Sequence, residues 1–191
     1  MSPPESFTTA RLLLRKPRPE DAPMIFSAYA QDPEVVRYLT FLPHRDLSDT
    51  HEVVERFLEN WRSGKSYCWL IFQRDRPELV GAISAREDQG INLGYLLARP
   101  FWGQGFMSEA VNAITDLAFS IPANFRVWAV CDCANDASAR LLERNEFHRE
   151  GVLRKWSLHP NVSDVPRDCY CFAKTRNDVR SSDSPAETIC D

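Results

Sequence analysis

Hydrophobic positions recur at helical spacing near the N-terminus and change to strand-like apolar runs in the middle of the chain. Proline and acidic residues at 19–21 favour the positive N-terminal end of a first helix, which Pro33 ends. A second helix is predicted to begin at Ser48 or Asp49 and to stop at Gly64. Its apolar stripe comprises Val53, Val54, Phe57, Leu58 and Trp61.

Seven apolar runs predict strands, and the three in the middle of the chain have the tight links of an antiparallel meander. The run over 125–133 is too apolar for a surface strand, which predicts burial on both of its faces. Two more helices are predicted, one from about Gly105 to Ser120 and one starting near Asn135. The seven runs are 11–15, 67–75, 79–88, 91–99, 125–133, 147–158 and 167–175.

The order of these elements predicts one mixed α/β domain without an obvious linker, which agrees with a length of 191 residues. The segment 176–191 is polar and is predicted to be a disordered tail. No run of about 18 apolar residues suggests a membrane span, and the N-terminus lacks the pattern of an export signal. We therefore expect a cytoplasmic protein without a membrane partner.

Charge and cysteine spacing restrict the ligands that the chain can bind. A formal net charge of −4 argues against a nucleic-acid partner, so an anionic ligand needs local positive potential. Cys131 and Cys133, like Cys169 and Cys171, are separated by one residue on strand-like runs, whereas zinc sites usually space their cysteines more widely and in turns. These patterns favour reduced thiols over a metal site.

The stretch RPFWGQGFMSEA, residues 99–110, leaves a predicted strand, crosses a glycine-rich turn and opens a helix. This arrangement exposes backbone N–H groups that can bind phosphate. A Walker A loop is excluded because no lysine precedes Ser108. A dinucleotide-binding fingerprint is a near-miss, with Asp132 as a possible ribose ligand, but Ser108 stands where its third glycine belongs.

Together with the downstream stretch NDASARLLERNEF, residues 135–147, this turn resembles the GNAT N-acetyltransferases, in particular the ribosomal-protein N-terminal acetyltransferases. The resemblance covers roughly residues 8–175 and implies one GNAT-like domain over 8–175. Such a domain has a central, mostly antiparallel sheet of about seven strands flanked by about four helices. In the family signature, Trp102 and Gly105 take the first two conserved positions, and Met107 replaces a small residue.

The resemblance implies that acetyl-CoA is the co-substrate and that its pyrophosphate lies against the turn, with no metal. In the second motif, Asn135 would bind the pantetheine amide, or would serve only as a helix N-cap. Glu146 replaces a usual glycine, and Asn145 is expected to take the left-handed conformation that ends the helix. The implied cofactor-binding residues are Leu96, Leu97, Trp102, Gly103, Gln104, Gly105, Phe106, Met107, Ser108, Asn135, Ser138 and Arg144.

The family's reaction is direct attack of an amine on the thioester in a ternary complex. The resemblance assigns the thioester carbonyl to a backbone N–H near Leu96 or Leu97, where their strand splays from its neighbour. Ser138 is the candidate proton donor to the leaving thiolate, with a purely structural helix serine as the alternative. The 3′-phosphate would be bound by Arg140, Arg144 or Arg126.

The general base has no clear assignment, because Asn92 stands where many relatives have a glutamate. Glu87, Asp88, His159 and Asp164 remain candidates, although each is also an ordinary loop residue. At pH 7.5 about a quarter of an α-amine, but only about a thousandth of a lysine amine, is neutral. A site without a strong base therefore favours a weakly basic acceptor.

The leading hypothesis is acetylation of a protein N-terminal α-amine by a monomer or homodimer. Acetylation of a small amine is the first alternative, such as an antibiotic, a polyamine or an amino-acid derivative. A non-catalytic acyl-CoA-binding module is the second. Four aromatic residues are candidates to line the acceptor pocket or to pack in the core: Phe26, Tyr29, Tyr38 and Phe41.

Overall fold

The computed structural model describes residues 3–176, and the strands in this range form one eight-stranded sheet with the order β1-β2-β3-β4-β5-β6-β8-β7. Every neighbouring pair is antiparallel except β5 and β6. The predicted α/β fold with a mostly antiparallel sheet is confirmed. The strands are β1 Ser6–Thr8, β2 Leu12–Arg15, β3 Tyr67–Gln73, β4 Leu79–Glu87, β5 Ile91–Leu97, β6 Arg126–Asp132, β7 His148–Ser157 and β8 Arg167–Thr175.

The sheet has one strand more than predicted because β1 is only three residues long, too short for a periodic pattern. It begins at Ser6, two residues before the predicted domain start. At the other end, Arg176 donates hydrogen bonds to the carbonyls of Ile121 and Asn124. The rest of the predicted tail lies outside the described residues.

Five α-helices lie in the described range: α1 Ala22–Ile25, α2 Pro33–Val36, α3 Leu47–Ser63, α4 Phe106–Ser120 and α5 Asp136–Arg144. None of these helices is both long and apolar enough to cross a membrane. The cap of α3 is Asp46, whose carboxylate accepts the Ser48 N–H at 2.9 Å, so the predicted start at Ser48 or Asp49 was late. Gly64 ends α3 with a left-handed φ of +71°, as predicted.

Two local predictions were wrong. Pro33 does not end the first helix but begins α2, where its missing N–H costs nothing and Asp32 caps the helix. At the end of α5, Glu146 and not Asn145 is left-handed, with a φ of +62°. The Glu146 carboxylate lies 2.7 Å from the buried Lys174 amine, and this ion pair offsets part of the strain at that position.

The sheet is covered on both faces, and each face has its own core. Helices α4 and α5 pack on one face, where side chains from β5 and β6 such as Leu93, Ala129 and Cys131 join the core. Helices α1 to α3 pack on the other face, and Leu96 and Ala98 point to that side. Since side chains alternate along a strand, neighbouring residues of β5 and β6 serve opposite faces.

The parallel strands β5 and β6 separate halfway along their length. Their pairing runs from Ile91 opposite Val127 to Leu93 opposite Ala129 and then stops, although both strands continue. Strand β5 stays paired with β4 up to Leu97, and β6 stays paired with β8 up to Asp132. A wedge-shaped gap therefore opens between β5 and β6, as predicted for the strand that contains Leu96 and Leu97.

Candidate active site

The turn before α4 presents an unbroken series of free backbone donors. Gly103 and Gly105 have φ values of +74° and +77°, which only glycine adopts without strain, and they fold the chain tightly into the helix. Within residues 3–176, none of the six N–H groups from Gly103 to Ser108 has a hydrogen-bond partner. Together with the positive end of α4, this cluster can bind a diphosphate.

The side chains of the turn leave these donors accessible. Phe106 and Met107 are buried in the core, so the methionine at the small-residue position of the signature does not obstruct a ligand. The Gln104 amide donates to the Pro100 carbonyl at 2.8 Å. The Ser108 hydroxyl accepts a hydrogen bond of 3.1 Å from the Asn145 amide, which joins α4 to the end of α5.

Sequence reasoning missed Arg11, which lies beside this turn. Its Nε donates to Glu109 Oε2 at 2.6 Å and its Nη1 donates to the Gln104 carbonyl at 3.0 Å. Its guanidinium carbon lies 4.7 Å from the centre of the Phe106 ring. A charge from the β1–β2 connection thus reaches the N-terminus of α4. No local motif marks this contact, because 98 residues separate Arg11 from Glu109.

The Glu109 carboxylate on α4 accepts hydrogen bonds from Thr9 and Arg11 of the β1–β2 connection. Because Glu109→Gln weakens these bonds, we expect it to lower the free energy of unfolding by about 1 to 2 kcal/mol at pH 7. Burial raises the pKa of Glu109, but hydrogen bonds from Thr9 and from the backbone and side chain of Arg11 lower it more, so the pKa is below its usual value. This stabilisation is present above the unfolded-state pKa of about 4.3 and is lost as pH falls through the lower folded-state pKa.

Denaturant unfolding at several pH values tests this prediction. The difference between wild type and Glu109→Gln should shrink below pH 4.3, by about the whole of its value at pH 7. Glu143→Gln changes an exposed carboxylate on α5 and is the matched control. A Glu109→Gln difference that stays constant from pH 7 to pH 3 would contradict the prediction.

At the gap, β5 offers a backbone donor at Leu97. The Ala98 N–H donates to the Val80 carbonyl of the β4 segment at 2.9 Å, so by alternation the Leu96 N–H also faces β4 and the Leu97 N–H faces the gap. The Leu97 carbonyl is already occupied, because the Trp102 indole donates to it at 2.9 Å. Of the two predicted residues, Leu97 therefore has the N–H that can polarise a carbonyl in the gap.

Ser138 lies in the first turn of α5, on the α4–α5 side of the gap. Its hydroxyl is 2.8 Å from the Tyr95 hydroxyl, and burial raises the pKa of Tyr95 well above its usual value. Tyr95 therefore stays protonated and can donate to Ser138, so the serine can donate its own proton to a second acceptor, such as the neighbouring Cys131 sulfur or the sulfur of a bound thioester. Burial likewise raises the pKa of the neighbouring Cys131 thiol to about 12, so this cysteine is an inert thiol.

The remaining predicted cofactor contacts lie at helix α5 and on strand β6. Asn135 is the N-cap of α5, and its side-chain oxygen accepts the Ser138 N–H at 3.1 Å. Arg144 is exposed at the end of α5, and Arg140 lies 4.0 Å from Asp136. Arg126 is at the far end of β6 from the open gap and pairs with Glu150. Arg144 therefore remains a prediction, and Arg126 is remote from the turn.

The candidate bases are separated by the fold. Glu87 and Asp88 lie at the end of β4, about 20 Å along β5 from Leu97. Asn92 lies opposite Trp128 in the paired part of β5. Asp164 is an exposed loop residue. His159 instead lies beside Asp132 at the open end of β6, with Nδ1 3.0 Å from Asp132 Oδ2.

Asp132 itself is fully buried and strongly bound. Its oxygens accept hydrogen bonds from Arg167 Nε at 2.5 Å and Nη2 at 3.0 Å, and from the Ala134 N–H at 2.8 Å. Burial raises its pKa, but the Arg167 guanidinium, the Ala134 N–H and His159 lower it more, so its pKa is below the usual value. Asp132 is therefore a poor proton acceptor. It is not placed as the ribose ligand of a dinucleotide fold, because its carboxylate is bound by Arg167.

The cysteines do not form a metal site in the described range. Cys131 lies on β6, Cys133 directly follows that strand, and Cys169 and Cys171 lie on β8; all four are free thiols. Between residues 3 and 176, no group of three or more potential ligands is arranged to bind a metal ion.

Comparisons with known proteins agree with this geometry. Residues 11–148 match the family model of the acetyltransferase (GNAT) domain. The chain is 30% identical over 172 residues to the uncharacterized N-acetyltransferase YoaA of Bacillus subtilis (strain 168), covering 88% of this chain and 96% of that protein. It is 27% identical over 131 residues to the ribosomal-protein-serine acetyltransferase of Escherichia coli (strain K12), covering 66% and 70% of the two chains.

A solved structure shows the same fold. The microcin C7 self-immunity acetyltransferase MccE, solved with acetyl-CoA and AMP, superposes with a TM-score of 0.79 at 20% identity, covering 87% of this chain and 93% of that one. The free donors of the 103–108 turn and the gap beside Leu97 suit the diphosphate and thioester of acetyl-CoA. The family model spans most of the described residues, so the chain belongs to the GNAT acetyltransferases and is an acetyl-CoA-dependent N-acetyltransferase.

Proposed function

We propose that this enzyme acetylates the N-terminal α-amine of a protein. The observation that carries the proposal is the state of Asp132, the carboxylate at the open gap. Arg167 and the Ala134 N–H bind both of its oxygens, and its pKa is below the usual value. A strongly basic lysine amine needs a strong base, which this carboxylate does not supply. An α-amine has a pKa of about 8, so a larger fraction of it is already neutral and a weaker base is sufficient.

The surroundings of the gap fit a peptide chain end. The β7–β8 loop, residues 158–166, lies against the segment after α2, because the Asn161 amide donates to the carbonyls of Val36 at 2.8 Å and Phe41 at 2.7 Å. Tyr38 and Phe41 in that segment are only half-buried, whereas Tyr29 is in the core. In this proposal the two half-buried rings form an apolar wall beside the gap. The similarity to a ribosomal-protein-serine acetyltransferase supports the same acceptor class.

In this proposal the chain binds its co-substrate mainly through main-chain atoms. The turn binds the diphosphate, the Leu97 N–H polarises the thioester carbonyl, and Ser138 protonates the leaving sulfur. Asn135 contacts the pantetheine through its amide nitrogen, and Arg144 contacts the 3′-phosphate. We expect the enzyme to work in the cytoplasm, where acetyl-CoA and newly made protein chains are both present. The turn residues concerned are Trp102, Gly103, Gln104, Gly105, Phe106, Met107 and Ser108.

The acceptor is tested by measuring CoA release with paired peptides. One peptide has a free α-amine and no lysine, and its partner has a blocked N-terminus and one lysine. We expect kcat/KM to be at least about 100-fold higher for the free α-amine, because a much larger fraction of that amine is neutral at pH 7.5. Equal rates for the two peptides would contradict the proposal.

Acetylation of a small amine is the second candidate, and the fold shared with a microcin C7 self-immunity acetyltransferase favours including it. A panel of polyamines, aminoglycosides and amino-acid amides belongs in the same assay. If any of these small amines is acetylated faster than every free-amine peptide, the acceptor is a small amine and not a protein N-terminus. Binding of acetyl-CoA without turnover of any amine would instead support a non-catalytic acyl-CoA-binding protein.

A further inference from the structure

His159 lies on the opposite side of the open gap from Ser138. Ser138 and Cys131 are on the α4–α5 side of the sheet. Asp132 follows Cys131 along β6, so its side chain points to the α1–α3 side, and His159 contacts it there. The β7–β8 loop that contains His159 is tied to the same side through the hydrogen bonds of Asn161 to Val36 and Phe41.

Along the direction of the strands, His159 lies at about the same position as the Leu97 N–H, where the thioester carbonyl is expected. The β5–β6 pairing sets Leu93 opposite Ala129, so continuing the same register would set Leu96 opposite Asp132. Leu97, whose N–H faces the gap, is the next residue. The His159–Asp132 pair and the Leu97 N–H therefore lie at about the same height on opposite edges of the gap.

The contact with Asp132 orients the histidine ring. Nδ1 is buried and lies 3.0 Å from Asp132 Oδ2, off the line of a directed hydrogen bond but well within reach of an ion pair. A carboxylate at this position favours the proton on Nδ1 and stabilises the ring when it becomes charged. Within residues 3–176, no group hydrogen-bonds Nε2, so that nitrogen has a free lone pair.

From this arrangement we infer that His159 is the general base of the reaction and that Asp132 is its positioning residue. The inference rests on the proposed transfer to a primary amine but not on which amine is used. His159 Nε2 takes one proton from the amine as the C–N bond forms. The C–S bond breaks, its electron pair leaves with sulfur, and Ser138 donates a proton to that sulfur. Solvent then carries a proton from His159 Nε2 to the Ser138 oxygen, so both side chains are regenerated and amine and thioester give amide and thiol in balance.

The two sides of the gap then divide the proton transfers. The amine approaches from the α1–α3 side, where His159 removes its proton. The thiolate leaves toward the α4–α5 side, where Ser138 and Tyr95 provide hydroxyl groups. A nucleophile and a leaving group on opposite sides of the carbonyl need this separation of base and acid. The arrangement also explains how an enzyme with Asn92 in place of a glutamate removes the amine proton.

Other titratable groups lie around this pair. Asp132 on β6 and Arg167 on β8 have opposite effects on a protonated His159 ring. Tyr38, from the segment after α2, lies near Arg167, and Cys169 on β8 lies near Asp132 and Arg167, where burial raises the pKa of the Cys169 thiol to about 11 and keeps it neutral. Asp132 and Arg167 remain charged across the working range, because the pKa of Asp132 is lowered and that of Arg167 is raised.

The first test compares His159→Gln with His51→Gln, which changes an exposed histidine on α3. With the best amine from the panel, we expect His159→Gln to lower kcat/KM by about 100-fold at pH 7, with acetyl-CoA affinity unchanged. On the acidic limb of the pH profile, the limiting slope of log kcat/KM against pH should fall by about one, because the variant has one proton fewer to lose. A loss under threefold, or an unchanged slope, would overturn the inference. His51→Gln should stay within twofold of wild type.

The second test needs no acceptor, so it separates failure of this inference from failure of the proposed acceptor. Nitrogen-15 NMR of the histidine rings at pH 8 should show His159 with its proton on Nδ1 and with Nε2 unprotonated. In Asp132→Asn, if it folds, this preference for Nδ1 should weaken. A wild-type ring with its proton on Nε2 would overturn the inference whichever amine is acetylated. Failure of all peptides with a correct tautomer would instead contradict only the protein acceptor.

Discussion

Replacing Gly105 with aspartate should abolish measurable acetyl-CoA binding, with a loss of affinity of at least about 100-fold, or about 2.7 kcal/mol. Gly105 is the N-cap of α4, between donors that have no partner within residues 3–176. A carboxylate there repels the diphosphate and competes for the same N–H groups. A Cβ at this position would also lie 3.5 Å from Arg11 Nη2, so the new carboxylate would pair with the charge nearest the turn.

The matched control is Gly105→Asn, because asparagine and aspartate have the same shape and both tolerate a positive φ. The two variants should have similar melting temperatures, since both bear the strain of φ +77°. By calorimetry, we expect Gly105→Asn to keep its affinity within about tenfold of wild type, because it adds no charge. Unchanged affinity in Gly105→Asp would show that the phosphates bind elsewhere, and equal losses in both variants would show that charge is not the cause.

Ser138→Ala should lower kcat by about 10- to 100-fold while acetyl-CoA affinity stays nearly constant. The range corresponds to about 1.4 to 2.7 kcal/mol of transition-state stabilisation. The serine hydroxyl strengthens its interaction only as negative charge develops on sulfur, so ground-state binding does not report it. The backbone N–H that Asn135 caps is still present in alanine, so the helix start is preserved.

Two variants distinguish this role from a structural one. Ser138→Thr keeps a hydroxyl on the helix and should retain kcat within about tenfold of wild type. Tyr95→Phe removes the 2.8 Å contact with Ser138 and should lower kcat less than Ser138→Ala does, because the serine proton remains. A Ser138→Ala enzyme with wild-type kcat and a lower melting temperature would assign the serine to packing alone.

The periodicity of the chain predicted most of the fold, for reasons that individual elements make clear. The stripe from Val53 to Trp61 predicted α3, and the continuous apolar run that contains Val127 predicted a buried strand. Prediction failed where a few residues decide the outcome. Strand β1 has only three residues. Helix α2 begins at Pro33, where a helix end was predicted, because Asp32 caps it. Such short segments are stabilised by their neighbours and not by their own pattern.

The same distinction holds for the candidate site. The glycine turn and Ser138 could be found because each depends on residues within one local segment. The tie of Arg11 to Glu109 and the contact of His159 with Asp132 could not, since they join residues 98 and 27 positions apart. His159 entered the sequence analysis as one of four candidate bases. Only the fold removed Glu87 and Asp88 by placing them at the far end of β5.

Local spacing and side-chain chemistry were enough to predict seven of the eight strands that the structure describes, the helices α3, α4 and α5, the glycine turn and the family resemblance. Three features follow only from the folded chain: which N–H faces the gap, which arginine lies at the N-terminus of α4, and which histidine contacts a buried carboxylate. Those features depend on strand register and on where β5 leaves β6. Register arises from the packing of both cores at once, so residues distant in the chain become neighbours without a local signal.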